Sequence, residues 1–366
     1  MKILFDARVH LNYFSGISRY IICLLDAYLN LFPNDTVTVL LNPTIKKDNS
    51  IYTVLAHYKN VTFKVVNTGH MGPKNYIMMG SIIKKIKPDV YHYPHIDTPI
   101  FTGKIPIVST IHDVNSNNRV KKYEDKFKLK SLYFKTALKL TIKYSAKIIF
   151  VSDTVKNEVI EDLKINQETS KKFIRIHNGL EDDFNNIPNN QKENILSSFN
   201  ITSPYLLFVG QIREHKNIRR VVEAYKLYNK AIPTHQLVIV GHNYLKLKWQ
   251  KESISHIEKA TNTELKALYA GSSALLFPSL FEGFGFPIIE AFSFGKQVVT
   301  TNYGATKEIA GNNAILVDPL SVESIANGIK TAVIQDNNEN EKIQFSKSFS
   351  WKENAKQLRE IYLSVQ

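Results

Sequence analysis

The chain has little of several things that would place it in other classes of protein. Its 366 residues include one cysteine, Cys23, so no internal disulfide can form, which is typical of a reducing compartment. No run of 18 apolar residues occurs, and no membrane-spanning helix is expected. Asp6 and Arg8 stand where a secretion signal needs its apolar segment, so we expect a cytoplasmic protein. Neither an Asp-x-Asp motif nor a His/Cys cluster with metal-ligand spacing is present, so no metal site is predicted.

Acidic residues are also scarce beside basic ones. The chain has 47 Lys and Arg against 33 Asp and Glu, a formal net charge of +14. Ten of the basic residues fall between Arg119 and Lys147, interleaved with aromatic and aliphatic side chains. This pattern predicts a basic amphipathic helix that binds an anionic membrane surface, although the apolar stripe of such a helix can also pack on its own domain. Nucleic acid could use the same charge, but we find no recognition motif and expect no nucleic-acid partner.

Short apolar runs alternate with helical periodicity along the whole chain, which predicts an α/β fold with two parallel sheets. The pattern stops in a polar, asparagine-rich stretch from Asn185 to Ser203 and starts again at Leu206. A last helix begins with Ser350 as its capping residue. The predicted organisation is a first Rossmann-like domain at 1–184, a linker at 185–203, a second Rossmann-like domain at 204–349 and a final helix at 350–366.

The most informative segment is a glycine-rich loop between two glutamates, Glu282 and Glu290. The apolar run Ala274–Phe277 predicts a buried strand before it, and a helix is predicted to follow over 288–294, with Pro287 suited to the first helical position. The loop therefore opens onto a helix N-terminus, which attracts phosphate. The two carboxylates can accept hydrogen bonds from hydroxyl groups, so the segment predicts binding of a sugar nucleotide. The loop consists of Gly283, Phe284, Gly285 and Phe286.

The stretch from Phe277 to Ala291 resembles the signature of the family 4 retaining glycosyltransferases, which have the GT-B fold, and the match continues to Pro319. The resemblance covers nearly the whole chain, and its N-terminal part is closest to bacterial mannosyltransferase-like members. It implies two Rossmann-like domains facing each other across a cleft, with the last helix crossing back to the first domain. The first domain would bind the acceptor and the second the nucleotide sugar.

The same resemblance implies transfer of a hexose, with mannose favoured, in cell-surface polysaccharide biosynthesis such as that of O-antigen and lipopolysaccharide. The donor would be a GDP- or UDP-sugar used without a metal or other cofactor, and the acceptor a saccharide or a lipid-linked saccharide. The enzyme would lie in the cytoplasm, peripherally on the inner face of the cytoplasmic membrane.

The resemblance also assigns roles within the second half of the chain. Glu290 would hold the nucleotide ribose, Glu282 the hydroxyls of the donor sugar, and the backbone amides of 284–286 the sugar and phosphate. Lys216 matches the family's lysine and would bind the diphosphate. The family's usual arginine is Gln211 here and its variant is His215, so we expect Arg213 to supply the second cation from a shifted position. Asn217 is predicted to cap a helix that starts at Ile218.

Two segments of the first half also match the family. His112 ends a β-branched strand and would lie near the anomeric region of the donor sugar, either neutral or protonated. Gly16 lies in a loop that would approach the diphosphate. The implied catalytic residues are His112, Lys216 and Glu282. Two other functions remain open, a non-hydrolysing sugar-nucleotide epimerase with the same fold and a basic nucleic-acid-binding protein.

Overall fold

Strands and helices alternate from one end of the chain to the other in the computed structural model. It describes residues 1–10, 12, 15–114, 128–201, 204–249 and 253–366, without the side chains of 73 and 128–131. The contacts divide the chain into two units. Unit 1 contains Met1–Gly179 and Ser350–Gln366, and unit 2 contains Leu180–Phe349.

Unit 1 is built on a seven-stranded parallel sheet with the order β3-β2-β1-β4-β5-β6-β7. The central strands β4 and β5 are buried on both faces, as expected of a parallel sheet covered by helices on both sides. Its strands are β1 (Lys2–Asp6), β2 (Thr36–Leu41), β3 (Val61–Val65), β4 (Val90–Tyr93), β5 (Ile107–Ile111), β6 (Lys147–Phe150) and β7 (Phe173–Arg175). Its helices are α1 (Gly16–Leu31), α2 (Ser50–Leu55), α3 (Pro73–Ile86), α4 (Lys128–Tyr144), α5 (Asp153–Leu163), α6 (Gln167–Ser170) and, from the end of the chain, α14 (Trp351–Leu363).

Unit 2 is built on a six-stranded parallel sheet with the order β10-β9-β8-β11-β12-β13. Its strands are β8 (Tyr205–Val209), β9 (Gln236–Val240), β10 (Ile254–Ile257), β11 (Ala274–Phe277), β12 (Gln297–Thr301) and β13 (Ile315–Val317). Its helices are α7 (Asn189–Ser198), α8 (Ile218–Ala231), α9 (Asn262–Gly271), α10 (Phe286–Ser293), α11 (Gly304–Ala310), α12 (Val322–Ile334) and α13 (Glu339–Ser346). The two sheets confirm the predicted α/β fold with two Rossmann-like domains.

The last helix, α14, belongs to unit 1, as the predicted crossover requires. Ser350 caps it by accepting a hydrogen bond from the backbone N–H of Glu353. The helix packs along α1, and the hydroxyl of the buried Tyr362 lies 2.5 Å from Nδ1 of His92 in β4. At its other end, the ring of Trp351 lies edge-on to Tyr20 of α1, with 6.0 Å between centroids. Unit 1 therefore completes its core with residues from the end of the chain.

The structure differs from the sequence prediction in three elements. Strand β10 was not predicted, and the stretch 185–203, predicted as a linker, contains α7, which packs on α9. Helix α10 begins at Phe286, so Pro287 is its second residue and not its first.

The basic segment from Arg119 to Lys147 is only partly within the described residues, since 119–127 lie outside them. The described remainder forms α4 and the start of β6. Among the residues that the structure describes, no helix has the length and apolar character needed to cross a bilayer.

Candidate functional site in unit 2

The carboxyl ends of β8 and β11 mark the place where the strand order of the second sheet reverses. From β8 the chain proceeds outward to β9 and β10, then returns to β11 and proceeds to the other side. Ligands of open α/β sheets bind at such a switch point, in the crevice outside the carboxyl ends of the strands. The segments that leave β8 and β11 contain the residues that the sequence had singled out.

Lys216 and Glu282 meet at this switch point. Their side chains form an ion pair with 2.5 Å between Nζ and Oε1. Only 15% of the Lys216 side chain and 14% of the Glu282 side chain is exposed to solvent. The ammonium group also lies 5.0 Å from the centroid of the Phe277 ring at the end of β11. A hydrogen bond of 2.8 Å from the N–H of Leu280 to the carbonyl of His215 ties the two loops together. The fold thus pairs a cation and a carboxylate that are 66 positions apart in the sequence.

Asn217 holds together three loops at the carboxyl ends of the unit 2 strands, and its side chain does not cap a helix. Helix α8 does begin at Ile218, but the predicted side-chain cap is wrong. Capping residues have extended backbone, whereas Asn217 has a left-handed φ of 61° after a 3-10 turn over Glu214–Lys216. Its Nδ2 donates to the carbonyls of Pro278 at 3.0 Å and Pro319 at 2.7 Å. This amide therefore fixes the loops after β8, β11 and β13 relative to one another.

The glycine-rich loop enters α10 through a backbone conformation that suits glycine. Gly285 has a φ of +109°, and its carbonyl accepts the N–H of Ile288 at 3.0 Å. Phe284 is buried, with its ring centroid 5.2 Å from that of Phe286 and 5.9 Å from that of Phe349. Its side chain therefore anchors the loop in the apolar core.

Glu290 lies one turn into α10 and is 2% exposed. Tyr269 of α9 donates its hydroxyl to Oε2 of this carboxylate at 2.5 Å. Sequence reasoning missed Tyr269, because nothing in the sequence relates a tyrosine of one helix to a glutamate 21 positions later. The contact holds one carboxylate oxygen in a fixed position.

Arg213, the expected second cation, has its own partners at the surface. Its Nε donates to Oε1 of Gln211 at 3.0 Å, and its guanidinium lies 4.0 Å from the centroid of the Tyr244 ring. Within the described ranges Arg213 forms no ion pair. The substituted residue Gln211 thus orients the shifted arginine.

In unit 1, His112 directly follows β5 and is half-buried. Its ring lies edge-on to Tyr20 with 4.5 Å between centroids, and its Nε2 is buried without a hydrogen-bond partner among the described residues. Burial, with a smaller effect from the nearby His95, lowers the pKa of His112 to about 3. Of the two protonation states that the sequence left open, the structure favours the neutral one. Gly16 is the first residue of α1 and directly follows the capping residue Ser15 in the sequence.

Comparison with protein families gives two matches that together span most of the chain. Residues 14–184 match the model described as Glycosyltransferase Family 4, and residues 191–357 match the model described as Glycosyl transferases group 1.

The chain belongs to glycosyltransferase family 4. Among similar proteins, the O-antigen chain mannosyltransferase RfbU of Salmonella typhimurium is 28% identical over 230 residues, which cover 60% of this chain and 59% of that protein. The O-antigen chain mannosyltransferase B of Escherichia coli is 26% identical over 287 residues, covering 74% of this chain and 72% of that protein. The chain therefore matches less than two thirds of the length of the Salmonella relative.

Solved structures of glycosyltransferases share the fold over nearly the full chain. Anabaena HepE in complex with UDP superposes with a TM-score of 0.74 at 18% identity and covers all of both chains. WaaG, a glycosyltransferase involved in lipopolysaccharide biosynthesis, superposes with a TM-score of 0.72 at 18% identity, covering 96% of this chain and 98% of WaaG. At this identity the likeness establishes the GT-B fold.

Proposed function

We propose that the protein is a retaining glycosyltransferase that moves a hexose, with mannose favoured, from a nucleotide-diphosphate sugar to a saccharide or lipid-linked saccharide acceptor of a cell-surface polysaccharide. The observation that carries the proposal is the Lys216–Glu282 pair at the switch point of a GT-B domain. It offers a cation for a diphosphate and a carboxylate for sugar hydroxyls at one place. The names of the Salmonella and Escherichia coli relatives support mannose, and the UDP complex of HepE supports a nucleotide donor.

In the reaction, the bond between the anomeric carbon and the diphosphate oxygen breaks, and the acceptor oxygen bonds that carbon from the same face while its proton passes to the leaving diphosphate. The leaving diphosphate gains negative charge, which Lys216 stabilises. An ammonium group has three donors, and one bond to Glu282 leaves two for phosphate oxygens. Glu282 accepts hydrogen bonds from the hydroxyls of the donor sugar. We assign no covalent nucleophile.

The remaining site residues complete the donor pocket in this proposal. Glu290 holds the ribose, and the backbone from Gly283 to Phe286 binds the sugar and phosphate near the N-terminus of α10. Arg213 adds charge at its rim, and Gly16 approaches the diphosphate. His112 accepts or donates one hydrogen bond with a sugar hydroxyl as a neutral imidazole.

Thermal-shift measurements with GDP, UDP, ADP and their sugars test the donor. Binding to the native state at a hundredfold excess over Kd stabilises it by about 2.7 kcal/mol, and one nucleotide family should therefore raise Tm by several degrees. A protein whose Tm responds to none of them would not be a nucleotide-sugar enzyme. The two other functions that the sequence left open, an epimerase and a nucleic-acid-binding protein, find no support in the comparisons.

We also infer that helix α4 holds the enzyme peripherally on the inner, anionic face of the cytoplasmic membrane. Leu138 and Ile142 of this helix pack into the core of unit 1, so part of its apolar stripe is internal. Lys135, Lys139 and Lys143 remain exposed, and Leu132 is exposed beside them. Each lysine near an anionic surface contributes about 1 kcal/mol of attraction, which salt weakens.

Liposome flotation tests this surface. The protein should float with anionic vesicles at low salt, and replacing Lys126, Lys128, Lys130 and Lys135 with glutamine should release it. Lys126 lies outside the described residues. Equal recovery on neutral and anionic vesicles, or no recovery on either, would contradict the inference.

A further inference from the structure

The first sheet has a switch point of its own, between β1 and β4. His95 follows β4 by two residues, and His112 directly follows the neighbouring strand β5. The register of the two parallel strands pairs Tyr93 with Ser109, so the residues that follow them leave the sheet at the same edge. The fold therefore places a second histidine, which sequence reasoning did not single out, where this sheet would bind a ligand.

Both histidines have an unsatisfied polar atom. Nδ1 of His95 and Nε2 of His112 are buried, and neither has a hydrogen-bond partner among the described residues. Burial of an imidazole nitrogen without a partner is unfavourable, so a ligand that supplies one is favoured. Burial lowers the pKa of His95 to about 3, with a smaller effect from His70, and the pKa of His112 is similarly low. Each ring therefore carries one N–H donor and one bare nitrogen acceptor at neutral pH.

The surroundings of His95 favour an uncharged ligand. Asp6 and Arg8 at the end of β1 form a fully buried ion pair at 2.6 Å, so their charges compensate each other. The carboxylate of Asp97 accepts the N–H of Gly72 and the hydroxyl of Tyr133, each at 2.6 Å. Neutral imidazoles beside a compensated ion pair and a hydrogen-bonded carboxylate can exchange hydrogen bonds with hydroxyl groups but offer no cation to a phosphate.

Aromatic rings complete this wall. The ring of His95 lies edge-on to His70 with 5.6 Å between centroids, and 6.2 Å separate it from the centroid of Tyr93. The half-buried ring of His70 can pack against the C–H groups of a sugar while the nitrogens of His95 meet its hydroxyls.

We propose that His95 is an acceptor-binding residue, which hydrogen-bonds a hydroxyl group of the acceptor saccharide at the switch point of the unit 1 sheet. This proposal rests on the proposed glycosyl transfer and adds to it the side chain that recognises the acceptor. His95 acts by positioning the acceptor, and the donor site of unit 2 does not depend on it.

Nitrogen-15 NMR of the histidine rings in the full chain with GDP or UDP tests the proposal directly. The probes are the p-nitrophenyl α-glycosides of mannose, glucose and galactose, each added to tens of millimolar. At least one glycoside should shift the ring signals of His95 and leave those of the exposed His57 unchanged. If none of the three moves the His95 signals, the proposal is wrong.

Kinetics on the glycoside that gives the shift provide the second readout. His95→Phe keeps the ring packing and removes both nitrogens, and it should raise the KM for the glycoside about tenfold, the effect of roughly one hydrogen bond, with kcat within about threefold. His57→Gln is the matched control. An unchanged KM in a His95→Phe protein that still melts at the wild-type temperature would overturn the proposal.

Thermal-shift measurements with nucleotide distinguish a failure of the acceptor-site proposal from a failure of the proposed function. His95→Phe should keep the wild-type thermal shift with nucleotide, because it leaves unit 2 unchanged. A wild-type protein without any nucleotide response would contradict the proposed function itself. A normal nucleotide response combined with glycoside-insensitive His95 signals would contradict the acceptor site alone.

Discussion

Breaking the Lys216–Glu282 pair should lower both the free energy of unfolding and the rate of transfer, and the two effects can be measured separately. Exposed ion pairs contribute about 0.2–1 kcal/mol, whereas removal of one partner from a fully buried pair costs about 3–5 kcal/mol. With about one seventh of each side chain exposed, this pair lies between those limits. We therefore expect Lys216→Ala to lower the free energy of unfolding by about 1–3 kcal/mol. Glu282→Gln should lower it by less, because an amide oxygen can still accept from Lys216.

The catalytic effect should be larger than the effect on stability. Removing one group that stabilises developing charge typically lowers kcat by about 10²–10³-fold. We expect a loss of that order for Lys216→Ala, together with a smaller thermal shift from the free nucleotide diphosphate. Glu282→Gln should respond normally to the free nucleotide but lose the additional shift that the attached sugar gives.

The measurements are urea unfolding and transfer kinetics on both single variants and the double variant. Lys226→Ala, which removes an exposed lysine of α8, is the matched control. The double variant should be less destabilised than the sum of the single ones, because the pair is in direct contact. Additive effects on stability would show that the pair contributes nothing. A Lys216→Ala enzyme as active as the Lys226→Ala control would remove Lys216 from leaving-group stabilisation.

Three further predictions concern the buried parts of both units. Burial lowers the pKa of His92 to about 3, below the value of about 6.5 in an unfolded chain, so its contribution to stability is lost as the pH falls from 6.5 towards 3. Between pH 7.5 and 5.5 the wild-type protein should therefore lose about 1.4 kcal/mol more than His92→Gln in urea unfolding, and equal losses would contradict this. Gly179→Ala would place its Cβ 2.4 Å from the first backbone nitrogen of α14 and should lower Tm by several degrees, whereas Gly69→Ala, whose Cβ meets nothing closer than 3.7 Å, should not. Tyr269→Phe removes the hydroxyl that positions Glu290 and should raise the Kd for the nucleotide about three- to tenfold in calorimetry. Glu290→Gln should weaken both nucleotide binding and turnover. Unchanged donor affinity in both variants would exclude Glu290 from the site.

The sheets could be predicted from the sequence because their strands are short apolar runs between polar turns. The exception is β10, whose four residues, Ile254 to Ile257, include a serine and a histidine. This strand lies at the edge of its sheet and buries only its two isoleucines, so it lacks the continuous apolar run of the central strands. Helix α7 could not be predicted either, because the stretch that contains it is polar and has no continuous apolar run.

The site could be predicted where a local motif carries it and not where packing creates it. Glu282 and Lys216 each follow a strand, and the parallel order of the sheet brings those strand ends together. The roles of Tyr269 and Asn217 depend on distances between elements that no local pattern encodes. His95 lacked a motif as well, and its unpartnered nitrogen becomes visible only when the surrounding side chains are in place.

The order in which the two units can complete their folding during synthesis follows from the placement of α14. Unit 2 is one uninterrupted segment, whereas unit 1 needs a helix whose Tyr362 meets a histidine 270 positions earlier. On the ribosome, unit 2 can therefore finish folding while unit 1 still lacks its last helix. Until Ser350 and the residues after it emerge, Tyr20 and Tyr28 of α1 lack the covering side chains of Trp351 and Tyr362. A nascent chain stalled before that point would expose this aromatic surface, which makes it a natural client for chaperones.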